Sequence, residues 1–178
     1  MVVDLNDSDA VLRYTREHAA MGLEHVTQLV RGEYEAMMAL IGDLTQDEAD
    51  TRINDGEEYS VSMIIQHLNQ SFARSEQRLR ELSTGIQFVA PPGSGRGGGL
   101  PEVLDTDFNR VRQAFVDGEE SVLKVLDAAD PAAPLTLTAP HAQYGPYNWL
   151  EWAVYSHHVH TSDHTHQIAK IKAALRGS

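Results

Sequence analysis

Apolar residues recur along most of this chain at steps of three and four, the spacing that places them on one face of an α-helix. The first such segment opens at Asp7-Ser8, a helix-capping pair. It carries Val11, Leu12, Met21, Val26, Leu29, Val30, Tyr34, Met37, Leu40 and Ile41 before Gly42. That exceeds the usual length of one helix. It reads either as one long helix or as a short extra helix within residues 1–21 followed by a first core helix from about Gly22. A polar stretch, residues 45–58, leads to a second helix capped by Ser60 and ended by Gly85. Its stripe is Ile64, Leu68, Phe72, Ser75, Leu79 and Leu82, with His67 on the edge of that face. A third helix spans about residues 106–129, with Phe108, Val111, Phe115, Val122 and Val125 as its stripe; Gly118 shares the stripe and marks a close approach or a gap beside something bulky. Asp130-Pro131 stops it, and Leu135 and Leu137 then suggest at most a short extended piece. A fourth helix opens at Asn148, with Glu151 three residues later as a capping box.

Residues 86–104, which include APPGSGRGGGLP, have no packing pattern and read as a loop. Their glycines match neither the dinucleotide-binding nor the P-loop spacing. A connection of this length can cross from one end of a bundle to the other. The chain therefore predicts one all-α domain over residues 1–178: a four-helix bundle with a long connection between helices 2 and 3 and an N-terminal helical extension.

Charge narrows the partners. Against 14 Lys and Arg stand 26 Asp and Glu, giving −12 at pH 7, which repels phosphates and disfavours nucleic acid and anionic membranes. The absence of cysteine excludes disulfides, thiolate metal sites and a cysteine nucleophile. Residues 1–14 lack the basic start and apolar run of a signal peptide, and no apolar stretch approaches the roughly 18 residues of a membrane span, so a cytoplasmic protein is expected.

Histidine is the unusual component. Of nine, five lie between His157 and His166. The inward stripe of the fourth helix reads Trp149, Ala153, His157, His160, His164, Ile168, Ile171, Leu175: apolar at the ends, imidazole in the middle. An unpaired buried polar ring costs about 1–3 kcal/mol, and one metal ion satisfies several converging imidazoles. His160 and His164, four apart, stand on one face; His157 and His160 are three apart, and periodicity alone does not choose between the pairs. His67 is positioned to supply a further ligand from across the bundle. His157 is a fourth ligand, a donor to a ligand or a wall of the pocket. His18, His25 and His141 read as ordinary satisfied residues, and His158 and His166, off the stripe, as solvated. So do the adjacent acids Glu57-Glu58 and Glu119-Glu120. Ser60, Ser62, Ser71 and Ser75 lack a nucleophile-elbow context, and HExxH is absent.

Two motifs carry a family resemblance. One is an aromatic-Ser start leading into an apolar helix with an embedded His-Leu, here Tyr59-Ser60-Val61-Ser62-Met63-Ile64-Ile65-Gln66-His67-Leu68. The other is HxxxHxxQI, here His160-Thr161-Ser162-Asp163-His164-Thr165-His166-Gln167-Ile168. In this order and at this separation they resemble the DinB/YfiT-like superfamily of metal-binding four-helix bundles. Tyr59 stands where that family often has tryptophan, and the N-terminal extension is not one of its features. The resemblance implies that His67, His160 and His164 hold one divalent ion, Zn²⁺ or Ni²⁺ foremost. Three neutral ligands leave an open position and the ion's full charge, which suits an anionic further ligand. It implies a thiol-dependent S-transferase acting on a small-molecule substrate with a low-molecular-weight thiol. A hydrolase using activated water and a metal-stabilised binding or stress-response module are the alternatives. A homodimer is expected, with Tyr14, Met21 and Met38 as spare apolar surface.

Overall fold

The computed structural model describes residues 3–53, 58–89, 100–141 and 143–177. It is mostly helical: α1 (Ser8–Ala19), α2 (Leu23–Ile41), α3 (Gln46–Asp50), α4 (Val61–Ser83), α5 (Phe108–Ala128), α6 (Trp149–Val154) and α7 (His160–Gly177). A π-helical turn, Tyr155–Val159, joins α6 to α7, and its flanking residues keep right-handed helical backbone, so the three pieces run on as one rod. Between α5 and α6 a small antiparallel hairpin pairs β1 (Ala139–His141) with β2 (Gly145–Tyr147). No helix among the described residues is long and apolar enough to cross a membrane.

The long first segment is two helices. Gly22, at φ +92°, breaks it, because that backbone region is open to glycine and costly for other residues. Asp7 caps α1 by accepting from the Ala10 amide. The polar stretch after α2 hides α3, a helix of one turn whose Thr45 and Glu48 form a reciprocal capping box. Residues 54–57 of that stretch, Glu57 among them, lie outside the described residues. Ser60 caps α4 through the Met63 amide at 3.3 Å. The helix ends in a Schellman turn: Ile86 N–H donates to Glu81 O and Gly85 N–H to Leu82 O. The glycine-rich part of the following loop, residues 90–99, lies outside the described residues; its flanks, 86–89 and 100–104, form neither helix nor strand. The extended piece expected near Leu135 and Leu137 sits further on, as β1 and β2, where Trp152 Nε1–H donates to Ala139 O and anchors the hairpin to α6.

Packing follows the stripes. α2 lies against α5 and α7, and α4 against α5, α6 and α7. Ile64, Leu68, Phe72, Leu79 and Leu82 of α4, Val26, Val30 and Met37 of α2, and Val111, Phe115 and Val122 of α5 are all buried. Gly118 lies under the Phe72 ring, whose Cδ2 would stand 3.4 Å from an added Cβ. The extension α1 is tied down by Tyr144 O–H donating to Leu5 O and by polar contacts to the π turn described below. Of the three apolar residues expected as spare surface, only Met21 is exposed. Tyr14 and Met38 are half-buried against the core.

One acid corrects the sequence reading. Glu120 is exposed as expected, but Glu119 is 8% exposed and its Oε1 has no hydrogen-bond partner. Burial pushes its carboxyl from 4.5 up to about 8. Because the folded pKa is raised, this group favours folding below pH 4.5 and loses that contribution as pH rises towards 8. By pH 7 the loss is on the order of 3 kcal/mol. His157, held at about 3 by burial, acts in the opposite sense, losing stability as pH falls from 6.5. The Glu119→Gln variant separates the two. It is expected to gain on the parent by that amount between pH 5 and pH 7 in urea unfolding; a difference that stays constant across that range rules the assignment out.

Candidate metal centre

His67 lies on the second turn of α4, and His160 and His164 on the first two turns of α7. The packing of α4 on α7 brings the three rings together. His67 Nε2 is 3.2 Å from His160 Nε2, and His164 Nε2 is 3.2 Å from the same atom. All three candidate ligand atoms lie within 4.8 Å of one another. Nitrogens bound at about 2.0–2.1 Å in a tetrahedral array stand about 3.3 Å apart, so the two 3.2 Å separations to His160 match those of ligands to one small ion.

The tautomers agree with that role. His164 Nδ1–H donates to Gln167 Oε1 at 2.7 Å, so Nε2 presents its lone pair to the other two rings. Burial, and then the neighbouring His164 and His67 rings, hold the His160 imidazole well below its usual pKa, in the neutral form that ligates. A single N–H proton satisfies only one of two facing nitrogens. A cation satisfies all three at once. The three residues are half-buried. Zn²⁺ and Ni²⁺ both accept imidazole nitrogen, and the residues present fit a divalent ion of this kind.

The π turn decides which histidines converge. His160 N–H donates to Tyr155 O, five residues back, which inserts an extra residue into the helical register. The turn stacks the Tyr155 ring on the His160 ring, 6.2 Å apart and 9° from parallel. It also sends His157 the other way. His157 is fully buried, with Nδ1 2.6 Å from Tyr34 Oη and Nε2 2.5 Å from Ser75 Oγ. Both nitrogens are satisfied by α2 and α4, so His157 is a core residue that crosslinks three elements and is neither a ligand nor a pocket wall. Ser75, read as a member of the apolar stripe, is there as its partner.

His158 corrects the expectation of a solvated ring. It is half-buried, 2.8 Å from Tyr14 Oη, and 3.5 Å from the Glu33 carboxylate. Glu33 also accepts from Thr165 Oγ1 at 2.6 Å. One carboxylate on α2 thus contacts residues on both sides of His160 and His164, and although burial raises its pKa, the neighbouring His158 and Thr165 side chains bring it below the usual value. His18 and His25 satisfy each other at 2.8 Å, His141 accepts from the Gln143 and Tyr144 amides, and His166 is exposed.

Gln167 and Tyr155 are the residues whose roles the sequence reading missed. Gln167 stood in plain view one turn after His164, where a second hydrogen bond to a ligand ring is found. Tyr155 is five residues from His160, a separation that a 3.6-residue period does not flag. Replacing Gln167 by Ala is expected to weaken zinc binding by about 10–100-fold with little change in fold, measured by competition with a chromophoric chelator. Unchanged affinity would show that this hydrogen bond does not orient the ring.

Comparison of the chain with protein-family models, with curated proteins and with solved structures returned no match.

Proposed function

We propose that this protein is a DinB-like four-helix bundle, with α2, α4, α5 and the α6–α7 rod as its helices and α1 as an extension. In this reading it holds one Zn²⁺ or Ni²⁺ ion through His67, His160 and His164 and serves a thiol-dependent S-transfer on a small molecule. The observation that carries the reading is the meeting of three imidazole nitrogens from two helices 93 residues apart in sequence, at ligand spacing. The two sequence motifs fall on those same helices. A divalent ion bound there would lower the pKa of a thiol or a water beside it, making a nucleophile at neutral pH.

The chain's own residues prepare this. Gln167 holds the His164 lone pair towards the other rings, Tyr155 covers one face of His160, and Glu33 secures both ends of the ligand-bearing segment. A cavity of about 140 Å³ abuts His67 and His164, so a small molecule has room next to two of the ligands. The acidic surface leaves nucleic acid an unsuited partner. A homodimer, with exposed Met21 at its interface, completes the reading, and light scattering on the eluted peak measures it.

The experiment is to load the protein with zinc or nickel and mix it with a low-molecular-weight thiol and an aryl halide. Thioether should form faster than in metal-containing buffer, and the His160→Ala variant should lose the acceleration. Hydrolysis of an activated ester instead would assign the centre to water activation. A metal that raises the melting temperature with neither activity would assign it to holding α4 and α7 together.

A further inference from the structure

Resting on this reading of the centre, we propose that the adjoining cavity receives the body of a small, uncharged, apolar thiol and discriminates against thiols that carry a carboxylate. The cavity measures about 140 Å³. An apolar cavity of about 150 Å³ accommodates one benzene molecule, so the space suits a body of four to six carbon atoms.

Its chemistry is divided. His67, His164 and Gln167 stand on one side, and Met63, Ile64, Leu100 and the Tyr59 ring form the rest of the wall. No Lys, Arg, Asp or Glu lines it among the described residues. A carboxylate pushed against Met63, Ile64 and Leu100 leaves water without a charged partner among the described lining residues, whereas an alkyl or aryl body gains by leaving it. Arg52 donates to Met63 Sδ at 3.4 Å and is not part of the lining. The chain's charge of −12 acts in the same direction, because it disfavours the approach of anionic thiols. An ion held by His67, His160 and His164 would take the thiol through its sulfur. The thiol binds as its thiolate, and its proton passes to solvent.

The test compares butane-1-thiol with 3-mercaptopropionate, two thiols of similar chain length and sulfur basicity, one ending in a methyl and the other in a carboxylate. Each is titrated into the cobalt-loaded full chain and followed by the visible absorption of the metal, a binding readout that needs no turnover. Butane-1-thiol is expected to bind about tenfold more tightly or better. Equal affinities, or tighter binding of 3-mercaptopropionate through Arg52, would overturn this inference and leave the metal centre standing. A chain that takes up no cobalt would overturn the proposed function and this inference with it. Met63→Lys, at a partly exposed position, places a cation in the wall and should shrink or reverse the preference. A ratio unchanged in that variant would move the thiol body out of this cavity.

Discussion

Replacing His160 by Ala is expected to abolish tight zinc binding. His160 Nε2 is the atom both other ligands face at 3.2 Å, so its loss leaves one ring on α4 and one on α7 with no shared third donor. Thermal unfolding with and without zinc reads the effect directly. A ligand at a thousand times its Kd adds about 4 kcal/mol to the folded state. In a chain of this size each kcal/mol moves the melting temperature by about 2–4 °C, so zinc should raise the parent's by about 8–16 °C. The variant should show almost none of that rise. Its metal-free melting temperature should stay close to the parent's, because removing the ring relieves three imidazoles crowded within 4.8 Å of one another. A parent that does not respond to zinc, or a variant that responds equally, would remove the basis for the metal centre.

His157→Ala should do the opposite: leave the ligands in place and unfold the protein more easily. The ring is fully buried and bonds Tyr34 on α2 and Ser75 on α4. Truncation leaves a cavity and two buried hydroxyls without a partner, at a combined cost of about 5 kcal/mol. Chemical denaturation monitored by far-UV circular dichroism measures it. Phe at the same position restores volume but no hydrogen bonds, and should recover only part of the loss. Destabilisation below about 1 kcal/mol would mean that the Tyr34–His157–Ser75 chain contributes no net stability. Together the two variants separate histidines three residues apart that look alike in sequence, one acting on metal affinity and the other on the fold.

The difference between those two histidines marks the limit of what periodicity can read. Helix positions were legible because caps and stripes are local. Asp7, Ser60 and the Asn148–Glu151 box act within one turn, and Ile64, Leu68 and Phe72 repeat at intervals that any α-helix imposes. The short α3 was not, because five residues are too few to show a period, although the Thr45–Glu48 box was there to be seen. The stripe through His157, His160 and His164 assumed one unbroken α-helical register. The π turn breaks it, and with the break His157 turns to the core and His160 to the candidate ion. Glu119 and Glu120 are neighbours of identical chemistry, but Glu119 stands four residues after Phe115 and three before Val122, on the stripe that α5 buries, and Glu120 falls off it.

By itself the amino-acid order determined a helical chain, its breaks, its acidic surface and a group of histidines too many to be left unpaired in a core. Through the resemblance its two motifs carry, it also nominated His67, His160 and His164. Which rings meet, which are satisfied by hydroxyls, and which apolar wall stands beside them were decided by the tertiary structure alone. The physical reason is that helix formation depends on contacts within one turn, whereas a ligand set and its cavity depend on α4 and α7 being packed to within 3.2 Å at one point, a distance that no spacing along the chain encodes.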